Sequence, residues 1–178
     1  MVIVSERDPL EPAELIEAFC NTRNLEEGVD VLDAGWLVDH GLLPAGSRLG
    51  AEELARARAV REALRQLALA NNGQGTAAAE AGRVVDRQAR RSGLAVRFTP
   101  YAEVKPATDG ADGALGRVLA ATAAAMGDGT WRRLKACHAE TCRWVYYDRS
   151  RNESRRWCSM EICGNRSKAR SYRVRRAK

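Results

Sequence analysis

Along the first 130 residues the apolar positions fall mostly at helical spacing. Over 13–21, Leu15, Ile16, Phe19 and Cys20 share one side, which predicts a helix with that side buried. Residues 30–39 predict a second helix, ended by Gly41. The clearest helix is 51–70, where Leu54, Val60, Leu64 and Leu67 recur at helical spacing with Arg and Glu between them. The run Asn71-Asn72-Gly73-Gln74-Gly75 breaks it, and a further helix over 76–91 is expected with Thr76 as its cap. At Leu94-Ala95-Val96-Arg97-Phe98 the period drops to two, which predicts a strand. Residues 101–105, bracketed by Pro100 and Pro106, are its expected hairpin partner. An alanine-rich helix over 114–126 closes the region, and Gly127-Asp128-Gly129 reads as a hinge.

Beyond the hinge the pattern changes. Arg143-Trp144-Val145-Tyr146-Tyr147 is aromatic and β-branched, as strands prefer. Residues 148–154 read as a polar turn, Arg155-Arg156-Trp157 as the returning strand, and Ser159 as the cap of a helix through Met160, Ile162, Ala169 and Tyr172. Trp144, Tyr146 and Trp157 are the expected small core.

Four of the five cysteines lie in this second region: Cys137, Cys142, Cys158 and Cys163, two Cys-x4-Cys pairs with equal gaps. Disulfides require an oxidising compartment, and the N-terminus lacks the charged and apolar regions of a secretory signal. A cytoplasmic location is therefore expected, as is one structural Zn2+ held by the four thiolates, a closed site with no position for a reactive water. Cys20, in its apolar helical setting, reads as a small buried hydrophobe. His138-Ala139-Glu140 matches half of a nucleotide-deaminase pattern, but the Pro-Cys-x-x-Cys half is missing, and His-Glu-x-x-His does not occur. No run approaches the length of a membrane span. His40 is isolated near a helix end, and the residues show no catalytic constellation, so an enzyme is not expected.

The net charge of +6 conceals a split. From Trp131 onward there are 15 Lys and Arg against 4 Asp and Glu, a net +11, whereas the preceding 130 residues carry 14 against 19, a net −5. A zinc tetrathiolate contributes −2, leaving the basic part near +9. Either this is a solvated tail or it meets a polyanion. Arg166, Arg170 and Arg173 recur at i, i+4 and i+7 on one helix face, Lys168 and Arg175 share another, and the turn adds Arg149 and Arg151. Together with Arg176 these are the candidate nucleic-acid contacts, because guanidinium forks match phosphate oxygens. Arg155 and Arg156, beside Trp157, and Arg166, beside a ligand, have an alternative role in supporting the finger itself.

Cys163-Gly164-Asn165-Arg166, the upstream cysteines and Tyr147-Asp148-Arg149-Ser150-Arg151-Asn152 resemble the bacterial CGNR zinc-finger family from about Trp131 to Arg176. The resemblance implies that Cys137, Cys142, Cys158 and Cys163 are the zinc ligands. That family usually carries an N-terminal ABATE domain, proposed to sense stress or a ligand in transcription regulators. Phe19-Cys20-Asn21-Thr22-Arg23 resembles its apolar-Asn-Thr-Arg signature, and Asp30-Val31-Leu32 and Trp36-Leu37 through Gly41-Leu42-Leu43-Pro44 fit the segment that follows.

The expected fold class is α+β. A mostly helical ABATE-like domain (1–129) with a small β-hairpin precedes a small treble-clef-like zinc finger (130–178). The expected function is transcription regulation, with the finger on duplex DNA and the N-terminal domain sensing a ligand (a small-molecule effector) or a stress signal, forming a homodimer, or both. The alternative is an RNA- or protein-interaction module without promoter-specific binding. Asn21, Arg23 and Trp36 are candidate effector-binding residues, against the simpler reading that Arg23 pairs with Glu26 or Glu27. The opposed charges also predict that the acidic part folds back on the basic one.

Overall fold

The computed structural model describes residues 11–98 and 100–176. The N-terminal stretch read above as lacking a leader lies outside them. The chain is α+β and mostly helical, as expected. Its elements run α1 (Pro12–Cys20), β1 (Arg23–Asn24), β2 (Val29–Asp30), α2 (Ala34–Asp39), α3 (Ala51–Asn71), α4 (Ala78–Arg91), β3 (Ala95–Phe98), β4 (Ala102–Lys105) and α5 (Gly110–Gly127). A 3-10 turn (Thr130–Arg133), β5 (Leu134–Ala136), β6 (Val145–Tyr147), a π-helical turn (Met160–Gly164) and α6 (Asn165–Arg176) complete it. Among the described residues no helix is long and apolar enough to cross a membrane.

The helices form where the period predicts, with local differences at their starts. Residues 30–39 are not one helix. Val29–Asp30 instead pairs antiparallel with Arg23–Asn24, because the Asp30 carboxylate is drawn to arginines of α3. The Asp33 carboxylate then caps α2 by accepting from Trp36 N at 2.8 Å. Thr76 does not cap α4, which begins two residues later without a side-chain cap. The α5 helix starts at Gly110 rather than 114. Within it Gly116 is required by close packing, since a Cβ there would lie 2.7 Å from the Pro106 side chain and 2.8 Å from that of Ser92.

One apolar core joins helices α1, α3 and α5 to the β5–β6 hairpin. Ile16, Phe19 and Cys20 of α1, Val60, Leu64 and Leu69 of α3, and Leu115, Val118 and Leu119 of α5 pack together. Leu134, Ala136 and Val145 of the β5–β6 hairpin lie in the same cluster and are fully buried. The segments of opposite charge therefore share a core, and residues 131–178 alone would expose these three side chains to water.

Polar side chains reinforce the junction. Asn21 forms a two-way pair with the Val145 backbone, donating to its carbonyl at 2.8 Å and accepting from its N–H at 2.9 Å. The Asn71-Asn72 pair does more than end α3. Asn71 donates to the carbonyls of Trp131 (2.7 Å) and Leu134 (2.9 Å), and Asn72 to those of Ala136 (2.8 Å) and Arg156 (3.1 Å). Arg61 and Arg65, expected on the polar side of α3, are both buried. Arg65 donates to the carbonyls of Cys20 (2.5 Å) and Arg143 (2.8 Å), joining α1 to the start of β6. Replacing Asn21 with alanine orphans both polar groups of buried Val145. A loss of about 1–3 kcal/mol is expected, read as a lower denaturant midpoint with the zinc content unchanged. An unchanged midpoint would show that this pair does not hold the junction.

Candidate metal centre and nucleic-acid surface

The four cysteines converge from three local structures. Cys137 follows β5, and its N–H bonds to the Trp144 carbonyl (2.9 Å), closing the hairpin. Between the strands the chain turns tightly: the N–H groups of Cys142 and Arg143 both bond to the Ala139 carbonyl (3.0 Å), and Arg143 adopts φ 51°. Cys158 follows Trp157, and Cys163 lies in the π-helical turn, where Ser159 Oγ accepts from Ile162 N at 3.2 Å as the predicted cap. Gly164 packs closely next to it: a Cβ would lie 2.6 Å from the Met160 sulfur and 3.3 Å from the Trp157 ring, so the methionine would have to shift.

The strand pairing differs from the sequence expectation. Val145–Tyr147 pairs with Leu134–Ala136, which precedes the first cysteine, and not with 155–157. The return segment is held by single bonds instead: His138 N donates to the Arg156 carbonyl (3.0 Å) and the Tyr146 hydroxyl to that of Arg155 (2.8 Å). The small cluster beside the thiols comprises Cys137, Tyr146 and Cys163, with Trp157 packed on them; Trp144 is half-buried outside it.

All four Sγ atoms lie within 4.8 Å of one another, with Cys142–Cys158 at 3.6 Å and Cys158–Cys163 at 3.7 Å. These separations far exceed a disulfide, about 2.05 Å. They match the edge of a tetrahedron with Zn–S near 2.3 Å, about 3.8 Å. Hydrogen bonds from Cys142 and Cys158 hold the Cys137 thiol far below its ordinary value, and the Cys158 thiol is correspondingly pushed far up. Burial raises Cys163 to about 12. Four sulfur ligands gathered this closely require a cation between them. The site holds one structural zinc ion. Cys20 stands apart, buried in the main core, its thiol pushed up to about 12 by burial.

Sequence reasoning missed Asp148. It is fully buried at the base of the turn and accepts from Lys135 Nζ (2.8 Å), Ser150 Oγ (2.6 Å) and N (3.0 Å), and Arg155 N (3.0 Å). Burial opposes its ionisation, but these four donors outweigh it and hold the carboxyl well below the usual range. In the sequence, only its turn-forming residue type and its place in the run 147–152 marked it.

The candidate basic residues separate. Arg155 is structural, donating to the Cys158 carbonyl at 2.6 Å and lying over the Tyr146 ring. Arg166 pairs with Glu26 at 2.5 Å, although both remain half-exposed. This is one contact of the kind the opposed charges predict. Arg166 and Arg170, with His138 and Trp157, border a cleft of about 200 Å³ beside the thiols. Lys168, Arg173, Arg175 and Arg176 are exposed on α6, and Arg149 and Arg151 are exposed in the turn. Arg149 lies over the Tyr147 ring.

The three effector candidates each have other partners. The Asn21 amide is committed to Val145, Arg23 faces Asp30 at 3.8 Å rather than Glu26 or Glu27, and Trp36 stacks on His40 at 3.8 Å.

Residues 133–176 match the CGNR zinc finger, a span that includes all four thiols. Residues 13–129, more than half of the chain, match ABATE, described as a "putative stress-induced transcription regulator". The chain belongs to the ABATE family. No curated protein matches it. The Asn-Thr-Arg run of this ABATE protein thus has a physical account. Asn21 pins β6. Thr22 Oγ1 donates to the Phe19 carbonyl (2.8 Å) and accepts from Arg61 (3.1 Å), and Arg23 adds positive charge beside Asp30. Neither family is one of enzymes.

Proposed function

We propose that this protein is a cytoplasmic regulator whose zinc finger binds duplex DNA and whose N-terminal region senses a small molecule, dimerises, or both. One observation supports the DNA reading above all. The α6 helix, Asn165–Arg176, carries five arginines and a lysine, all exposed, and no acidic residue. The basic surface starts at the metal centre, so the zinc fixes where the helix begins and how it is aimed. Met160, Ile162 and Tyr172 are also exposed there, giving apolar surface that sugars and base edges can cover.

Arg170, Arg173, Arg175 and Arg176 are the proposed phosphate contacts. Arg149, Arg151 and Lys168 extend the charged surface, and Arg166 joins it once released from Glu26. For the double variant Arg170→Gln/Arg173→Gln, anisotropy titrations with a DNA duplex should show affinity falling about equally for every sequence. The slope of log K against log salt should become shallower by about two. The full-length zinc-loaded protein is the correct material. Absence of DNA binding, or a salt-independent affinity, would overturn the reading. Tighter binding to structured RNA in direct competition would favour the RNA module instead.

A further inference from the structure

Arg23, Arg58 and Arg61 converge on the single carboxylate of Asp30 at the base of the β1–β2 hairpin. Arg61 is buried and uses four of its five N–H donors. It donates to both Asp30 oxygens (2.6 and 3.0 Å), to Thr22 Oγ1 (3.1 Å) and to Glu62 (2.9 Å). Arg58 Nε lies 3.2 Å from Asp30 and a terminal nitrogen of Arg23 lies 3.8 Å away. Neither side chain makes a hydrogen bond among the described residues, and each is nearly half-exposed. Glu62 does not restore neutrality, because Arg65 shares it at 3.0 Å. Four guanidinium groups therefore face two carboxylates, an excess of two positive charges. A groove of about 420 Å³ opens over Arg23, Arg58, Arg61 and Glu62, walled by Leu25 and Ala59.

We propose that this groove binds a small dianion, a phosphate monoester or a dicarboxylate with a short apolar portion. Arg61, held by Asp30 beneath it, forms its fixed floor. Arg23 and Arg58 supply the free donors, whose planar forks suit pairs of anionic oxygens. Leu25 and Ala59 contact the carbon skeleton. The site gives a chemical class to the sensing role proposed above, and it rests on that role. Its position suits such a role. The tip of the same hairpin places Glu26 on Arg166 of the basic helix. Glu62 also links Arg61 to Arg65, which holds the Arg143 carbonyl beside zinc ligand Cys142.

The test uses the full-length zinc-loaded protein at constant ionic strength. Calorimetric titrations employ inorganic phosphate, succinate and, as the monoanion control, acetate. Arg170→Gln/Arg173→Gln serves as the background, which weakens phosphate binding to the basic helix. Saturable binding of at least one dianion is expected, with acetate much weaker. Arg58→Gln or Arg23→Gln should each weaken it about tenfold, the worth of one lost charge-assisted hydrogen-bonding group. Both arginines are at the surface, and unchanged melting curves confirm that the variants fold. Absence of saturable dianion binding, or binding unaffected by both substitutions, would overturn the proposal. Preference between phosphate and succinate identifies the headgroup. Duplex DNA binding is measured separately, so failure of this site leaves the DNA reading standing.

Discussion

Cys137→Ser is expected to abolish stoichiometric zinc and to unfold the C-terminal region, destabilising the helical part with it. In zinc-finger peptides a structural zinc contributes about 10–16 kcal/mol at neutral pH, as much as or more than the net stability of a typical domain, about 5–15 kcal/mol. Here Cys137 directly follows Ala136, which is fully buried in the core shared with α1, α3 and α5. Loss of the metal should therefore lower the melting temperature of the whole chain and remove the proposed DNA binding. Chelation should do the same, more readily at acid pH, where protons compete for thiolates. Cys20→Ser is the control. It sits in the core away from the cluster, so zinc content should stay at one per chain even if the melting temperature drops. A Cys137→Ser protein with unchanged melting and DNA affinity would refute the structural role of the metal.

The second large effect is expected at Asp148. Asp148→Ala leaves Lys135, itself buried, with an uncompensated charge, and removes the acceptor of Ser150 and Arg155. Breaking a buried pair on one side costs about 3–5 kcal/mol, enough to loosen the turn that carries Arg149 and Arg151. Lys135→Met with Asp148→Leu should recover part of the loss, because it removes both charges. The pH dependence has a definite sign. The folded carboxyl lies below its ordinary value, so its contribution is fully present above about pH 4, the ordinary aspartate value. It is lost as pH falls through the folded value. The wild-type melting temperature should thus decline more steeply below pH 4 than that of the doubly replaced protein. Equal acid profiles would remove Asp148 from this role.

Much of the fold was legible because its signals are local. Helical spacing marked α1, α3, α4 and α5, and alternation marked β3. The boundaries that differed depended on partners distant in sequence. Asp30 became strand because Arg58 and Arg61 of α3 face it, and residues 145–147 paired backward with β5 because the first Cys-x4-Cys turn closes that hairpin. Arg61 and Arg65 interrupt the polar side of an amphipathic pattern, and nothing in that pattern distinguishes a buried arginine with four partners from a solvated one. The same limit explains why Asn71 and Asn72 read as a helix stop. Their residue type does end a helix, while their amides also bind carbonyls some 60 residues or more away.

The sequence by itself determined the metal, its four ligands and the basic helix, since short spacing and net charge are properties of neighbouring residues. Tertiary structure alone decided what the finger rests on and where positive charge is left over. The β5–β6 hairpin joined the helical core through Leu134, Ala136 and Val145, which pack among the side chains of α1, α3 and α5. Of the expected effector residues Asn21, Arg23 and Trp36, Asn21 has its amide satisfied by Val145. Arg23 met Arg58 and Arg61 instead, three cations gathered on one carboxylate from segments that only folding brings together.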